Sequence, residues 1–160
     1  MPYEPGLVFR CLADNDYRKY WDANVDYDQF IEKVTENVYI KHNSVAGRGI
    51  WPLKFTRRDF VFVTKFEKHP TTGMITAVSH SLASVQGKAP TLTKQCIRGS
   101  LYFGGWSLEK VGNHTRMTLM AEVDLKGSIP KSLLSWGNSQ AGQSISKLRD
   151  IAIPQYIKDH

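Results

Sequence analysis

Cysteine is scarce in this chain of 160 residues. Only Cys11 and Cys96 occur, with no CxxC spacing, so they read as buried thiols of a reducing compartment rather than as a disulfide framework. No apolar run approaches the roughly 20 residues that span a bilayer. The opening MPYEPGLVFR has neither the basic region nor the apolar core of a signal peptide, and a soluble, cytosolic protein is the expectation. The five histidines, at 42, 69, 80, 114 and 160, stand singly, so the sequence spells no metal-ligand cluster, and it carries no cofactor motif. Basic residues give a net charge of +6 without any run of five, and no helix-turn-helix, zinc finger or aromatic RNA-recognition consensus accompanies them. No nucleic-acid partner is expected. An anionic membrane surface is compatible with that charge. Internal repeats, linkers and low-complexity stretches are also missing, which makes residues 1–160 a single domain.

What is present is ordinary globular composition, 41% hydrophobic and 22% charged with 11% aromatic residues. A chain of this length can bury roughly 68–70% of the surface its unfolded form exposes. Residues 4–22 read as helix in two pieces around ADND, where Asp14 or Asp16 can cap the second. Period-two patterning then predicts strands over 27–34, 37–45, 56–66, 73–85, 94–111 and 115–125, an antiparallel meander of about six strands. The stretch TRRDFVFVTKF (56–66) stands out because both of its faces carry apolar bulk. Phe60, Phe62, Thr64 and Phe66 share one face, Val61, Val63 and Lys65 the other. Arg58 and Asp59 read as an ion pair that fixes the strand's start. After DLKGS, Ser128 as a cap, Pro130 in the first turn, and Leu134, Ala141, Ile145, Leu148 and Ala152 on one face predict a long amphipathic helix ending near Pro154. Gly137 and Ala141 make part of that face small. Trp106 and Trp136 read as core residues.

Taken in order, YRKYWD (17–22), WPLKFTRRDFVFV (51–63), IRGSLYFGGWSLEK (97–110) and DLKGSIPKSLLSW (124–136) resemble START domains, the lipid-transfer domains related to steroidogenic acute regulatory protein. The likeness covers about residues 5–153. It implies an α+β helix-grip fold, in which a curved antiparallel sheet grips a long C-terminal helix around a tunnel holding one lipid molecule, with no cofactor and no catalytic residues. Relatives carry a further helix and about three strands before the segment matching residue 5. Their absence here leads to the expectation of an open sheet edge and of self-association through it.

The head-group motif is most similar to the phosphatidylcholine-transfer branch. That resemblance places Arg18 and Asp22 on the lipid head group, Tyr102 and Phe60 as ring contacts, and Phe62 in the tunnel. A guanidinium forks onto phosphate oxygens, and aromatic faces attract a quaternary ammonium. Sterol-binding relatives resemble one another in a buried acid–Arg pair, and the matching positions here are the uncharged Asn43 and Thr64. Glycerophospholipid, phosphatidylcholine or phosphatidylethanolamine, is therefore the expected ligand, with sterol or ceramide as the alternative. In GRGIWPLKF (47–55), Ile50, Trp51 and Leu53 lie between Arg48 and Lys54, a composition suited to a gate loop that dips transiently into a membrane. For an enzyme of the helix-grip type, His80 is the best loose candidate, and it has no partner in the sequence.

Overall fold

The computed structural model describes residues 1–47, 56–89, 96–127, 129 and 131–160, the stretch 131–138 by its backbone alone. Ser128, Pro130, the side chains of Leu134 and Trp136, the surroundings of Gly137, and the loop with Ile50, Trp51 and Leu53 fall outside the described residues. Pro5 opens helix α1 (Pro5–Ala13) at a position where its missing N–H costs nothing, and Val8, Cys11 and Leu12 form its buried face. The Asp14 carboxylate then accepts from the Asp16 N–H at 2.9 Å, turning the chain through a short 3₁₀ helix (Asn15–Tyr17) into α2 (Arg18–Trp21). The break expected at ADND is therefore present, with Asp14 as its cap.

Among the described residues seven strands follow: β1 (Val25–Thr35), β2 (Val38–Val45), β3 (Arg57–Lys68), β4 (Ile75–His80), β5 (Cys96–Arg98), β6 (Ser100–Val111) and β7 (His114–Asp124). The sheet runs β1-β2-β3-β4-β6-β7, antiparallel throughout, and β5 adds a short parallel pairing to the start of β3. Two strand readings are corrected. The segment 73–85 stops being a strand at His80, because the Ser81 hydroxyl donates to the Val61 carbonyl and its N–H to the Leu101 carbonyl, and the chain turns into the one-turn helix α3 (Ala83–Gln86). The segment 94–111 is two strands, broken at Gly99, whose N–H donates to the Asp59 carbonyl at 2.9 Å. A side chain at Gly99 would collide with the ring of Phe60.

Both faces of β3 are covered, which answers the sequence's double-sided apolar pattern. On one face the rings of Phe9, Tyr39, Phe66 and Trp106 meet, Phe9 to Phe66 at 5.6 Å and Tyr39 to Phe66 at 5.8 Å. Since Phe9 belongs to α1, the residues in step with Phe66, namely Thr64, Phe62 and Phe60, face the helices. On the other face Val61 packs with Ile40 and with Val85 of α3. The main core lies on the helix side, joining Val8, Cys11, Leu12 and Tyr17 to Ile75, Leu108, Leu148, Ala152 and Ile153, with Trp106 packed against it as expected.

The C-terminal helix comprises α4 (Lys131–Lys147), a π-helical turn (Leu148–Ala152) and α5 (Ile153–Asp159). It therefore runs through Pro154 instead of ending there. A proline ring clashes with the carbonyl four residues earlier in a regular α-helix, and the wider π turn just before it absorbs that clash. Short helices, a curved sheet and a long closing helix compose the helix-grip arrangement. No helix among the described residues is long and apolar enough to cross a membrane.

Candidate functional site

Where α2 meets the first strands, the helix-facing side of the sheet turns from apolar to charged. Arg18, at the start of α2, donates to Asp22 one turn later (2.9 Å) and to Asp28 of β1 (3.4 Å), and its guanidinium stacks on the Trp21 ring at 4.3 Å. Asp28 is also held by Lys41 of β2 at 3.0 Å, and Lys41 reaches the Asn15 side chain and lies over the Phe30 ring. Burial lowers the Lys41 pKa from the ordinary lysine range, with the Arg18 charge adding to the shift and Asp28 opposing it. Two cations balance two carboxylates, so the quartet is formally neutral.

Its hydrogen bonding is incomplete. Among the described residues Arg18 Nε and Trp21 Nε1 are buried donors without an acceptor, while Asp28 Oδ1, Asn43 Oδ1 and Asn24 Oδ1 are buried acceptors without a donor. Buried polar groups are nearly always paired, because each orphan costs about 1–3 kcal/mol. Asp28 and Asn43 are direct register partners on adjacent strands, so two of the acceptors stand side by side. A ligand that offers both acceptors and N–H or O–H donors would complete all of them.

Along that same row the register continues from Asn43 to Phe60 of β3. Phe60 is buried, its ring against Gly99. Tyr102 sits in the β-bulge between Leu101 and Phe103, half exposed, and its hydroxyl donates to the Asp124 carboxylate. Arg18, Asp22, Asn43 and Phe60 thus converge on one transverse band, and Tyr102 lies at its far end, already engaged. Phe62 faces the helices opposite Lys41. Thr64 lies opposite Tyr39, not Asn43, and its hydroxyl is bonded to Ser79 at 2.8 Å. Four residues separate the two positions along the strands, roughly 13 Å, so Asn43 and Thr64 form no pair.

Arg58 and Asp59 point to opposite faces. Arg58 donates to the carbonyls of Thr56, Leu125 and Lys126, tying β3 to the end of β7. Asp59 takes a two-pronged bond from Arg98 of β5, both contacts 2.8 Å, and a third from His42 Nε2 at 2.8 Å, next to the Tyr27 hydroxyl. Sequence reasoning missed this buried Tyr27–His42–Asp59–Arg98 network, as it missed Asp28. The signal in each case is a charged or titratable residue at an inward step of a strand, Asp28 in YDQF and His42 in YIKHNSV. His80 belongs to the face away from the helices, exposed, its ring bonded to the Tyr102 carbonyl. A separate surface cleft of about 400 Å³ lies between Asp14–Tyr20 and the C-terminus, closed on one side by the Tyr17–Asp159 hydrogen bond, and it shares neither Arg18 nor Asp28.

The family model of the START domain matches residues 2–146. Human STARD10 is similar with a TM-score of 0.78 and 21% identity, over 99% of this chain and 62% of that one. Human StAR-related lipid transfer protein 5 gives 0.81 and 19%, over 96% and 72%. A STAR-related lipid transfer protein from Xanthomonas axonopodis gives 0.70 and 20%, over 93% and 79%. At such identities the likeness speaks for the fold, and the chain spans just under two thirds of the STARD10 length. Curated proteins yield no match. With a family match over most of its length and a helix-grip sheet to go with it, this chain belongs to the START domain family.

Proposed function

We propose that the chain binds one zwitterionic glycerophospholipid and exchanges it between membranes. The observation that carries this reading is the unfinished, charge-neutral polar cluster of Arg18, Trp21, Asp22, Asp28, Lys41 and Asn43 at one end of the helix-facing surface. A phosphate satisfies Arg18 Nε and Trp21 Nε1, and a head group with no net charge leaves the quartet balanced. Acyl chains have the surface of Phe66, Trp106 and Leu119 to cover.

Within this class, phosphatidylethanolamine is favoured over phosphatidylcholine. Asp28 Oδ1 and Asn43 Oδ1 need donors, which an ammonium supplies and a trimethylated nitrogen does not. The named relatives described as lipid transfer proteins agree with the general activity. A gate role for Ile50, Trp51 and Leu53 and transient membrane contact belong to the same proposal. Native mass spectrometry of the purified protein, followed by vesicle-to-vesicle transfer of labelled phosphatidylethanolamine, tests it. The expected result is one bound phospholipid and transfer that Arg18→Ala weakens by about 1–3 kcal/mol in binding. Co-purification of a sterol or ceramide, or phospholipid binding indifferent to Arg18→Ala, sinks the assignment.

A further inference from the structure

Lys41 turns its charge inward. Buried at 7% exposure, it bonds Asp28 Oδ2 at 3.0 Å and the Asn15 side-chain oxygen at 3.3 Å, and its ammonium lies 4.6 Å from the centre of the Phe30 ring. Register explains the meeting: Phe30 is the partner of Lys41 across β1 and β2, and Asp28, two residues before it, shares its face. A carboxylate, an amide oxygen and an aromatic face are the kinds of partner that hold an ammonium group. The chain has built an ammonium site and filled it with its own lysine. Left open beside it, among the described residues, are Asp28 Oδ1 and Asn43 Oδ1, both hydrogen-bond acceptors.

We infer that Lys41 is the specificity-determining residue of the head-group site, and that it selects a lipid amine still carrying N–H groups by occupying the aromatic face that a quaternary ammonium would need. This rests on the reading of the ligand as a zwitterionic phospholipid. A trimethylated nitrogen has no hydrogen to donate and is held by ring faces. With the Phe30 face taken, only the two acceptors are left for it, and they stay unsatisfied. A primary ammonium donates to Asp28 Oδ1 and Asn43 Oδ1 and leaves Lys41 in place. Charge allows this second cation, since the phosphate that enters with it brings a matching negative charge to Arg18.

The test offers delipidated protein mixed vesicles of phosphatidylethanolamine and phosphatidylcholine with identical acyl chains, and counts each bound lipid by native mass spectrometry. Wild type should take up mostly phosphatidylethanolamine. Lys41→Met keeps an unbranched stem and bares the Phe30 ring and Asp28 Oδ2, so the ratio of ethanolamine to choline lipid should fall on the order of tenfold, chiefly through tighter choline-lipid binding. Lys41→Arg, whose guanidinium also pairs with a carboxylate and stacks on a ring, should restore the ratio. Adding Phe30→Leu to Lys41→Met should cancel the gain for phosphatidylcholine. Should Lys41→Met alone be too unstable to purify, Lys41→Met with Asp28→Asn removes both charges together and should show the same fall. A preference for phosphatidylethanolamine that loss of Lys41 leaves unchanged overturns this inference and spares the proposed function, and so does a choline-lipid gain that survives Phe30→Leu. Wild type that binds no phospholipid, or is indifferent between the two, overturns both.

Discussion

Two buried polar groups carry opposite consequences at the scale of single residues. Asp59, on the face turned away from the helices, has three bonds from Arg98 and His42, so its charge is fully compensated. Removing Arg98 leaves a carboxylate with 3% side-chain exposure short of its main partner. Arg98→Ala should therefore cost about 3 kcal/mol in urea unfolding, because a broken buried pair is penalised by the charge left behind. Cys11 shows the effect of burial alone. Desolvation, with the Asp14 charge behind it, pushes its thiol up from 9.0 to about 12. The sign follows from proton counting: above pH 9 the unfolded chain releases this proton while the folded chain keeps it. Stability contributed by the neutral thiol is whole below pH 9 and is lost as the pH rises towards 12. Over that interval the unfolding midpoint of the wild type should fall more steeply than that of Cys11→Ala, and parallel curves would contradict the assignment. Neither residue announced its surroundings. Cys11 was legible as a buried thiol from composition, whereas Asp59 was read with its neighbour Arg58 because adjacency is what a sequence displays. In a strand adjacent side chains part to opposite faces, so the true partner comes from β5.

Among the elements, the strands were the easiest to place and their ends the hardest. Alternation of apolar and polar residues is local and survives without knowledge of the fold, so β1, β2, β3 and β7 fall within a few residues of expectation. The split at Gly99 was hidden, since it arises from Phe60 pressing on a backbone nearly forty positions away in sequence. Gly105 is a second case. A Cβ there would run into the Ala77 carbonyl across the β4–β6 ladder, with Val78 Cα at 3.5 Å behind it. Gly105→Ala should accordingly push β6 from β4 and lower stability by about 1–3 kcal/mol in chemical denaturation. A neutral result would mean that the ladder yields more easily than close packing allows. The final helix shows the reverse error, in which a strong local rule was overridden. Proline ends most helices, yet here the π turn Leu148–Ala152 lets the chain continue, and Leu148, Ala152 and Ile153 around that turn are among the most buried residues. Their burial against α1 repays the irregular geometry.

For the molecule as a whole, the polar orphans at one end and the exposed apolar residues of β6 and β7 bear on the proposed ligand. A ligand bound only by the folded state stabilises it by about 2.7 kcal/mol at one hundred times Kd. Delipidated protein titrated with phosphatidylethanolamine should thus melt several degrees higher. Phosphatidylglycerol should have a smaller effect, because its net charge unbalances the Arg18–Lys41–Asp22–Asp28 quartet. Equal shifts from both lipids would remove the electrostatic argument while leaving the fold untouched.

By itself the sequence determined the order of helices and strands, the buried character of both faces of β3, and the family to which the chain belongs. These rest on periodicity and on motifs that are contiguous along the chain. Only the tertiary structure decided that Arg18 meets Asp28, that Asp28 is shared with Lys41, and that Asn43 stands opposite Phe60 and away from Thr64. Strand register sets those meetings, and register is a property of two strands together.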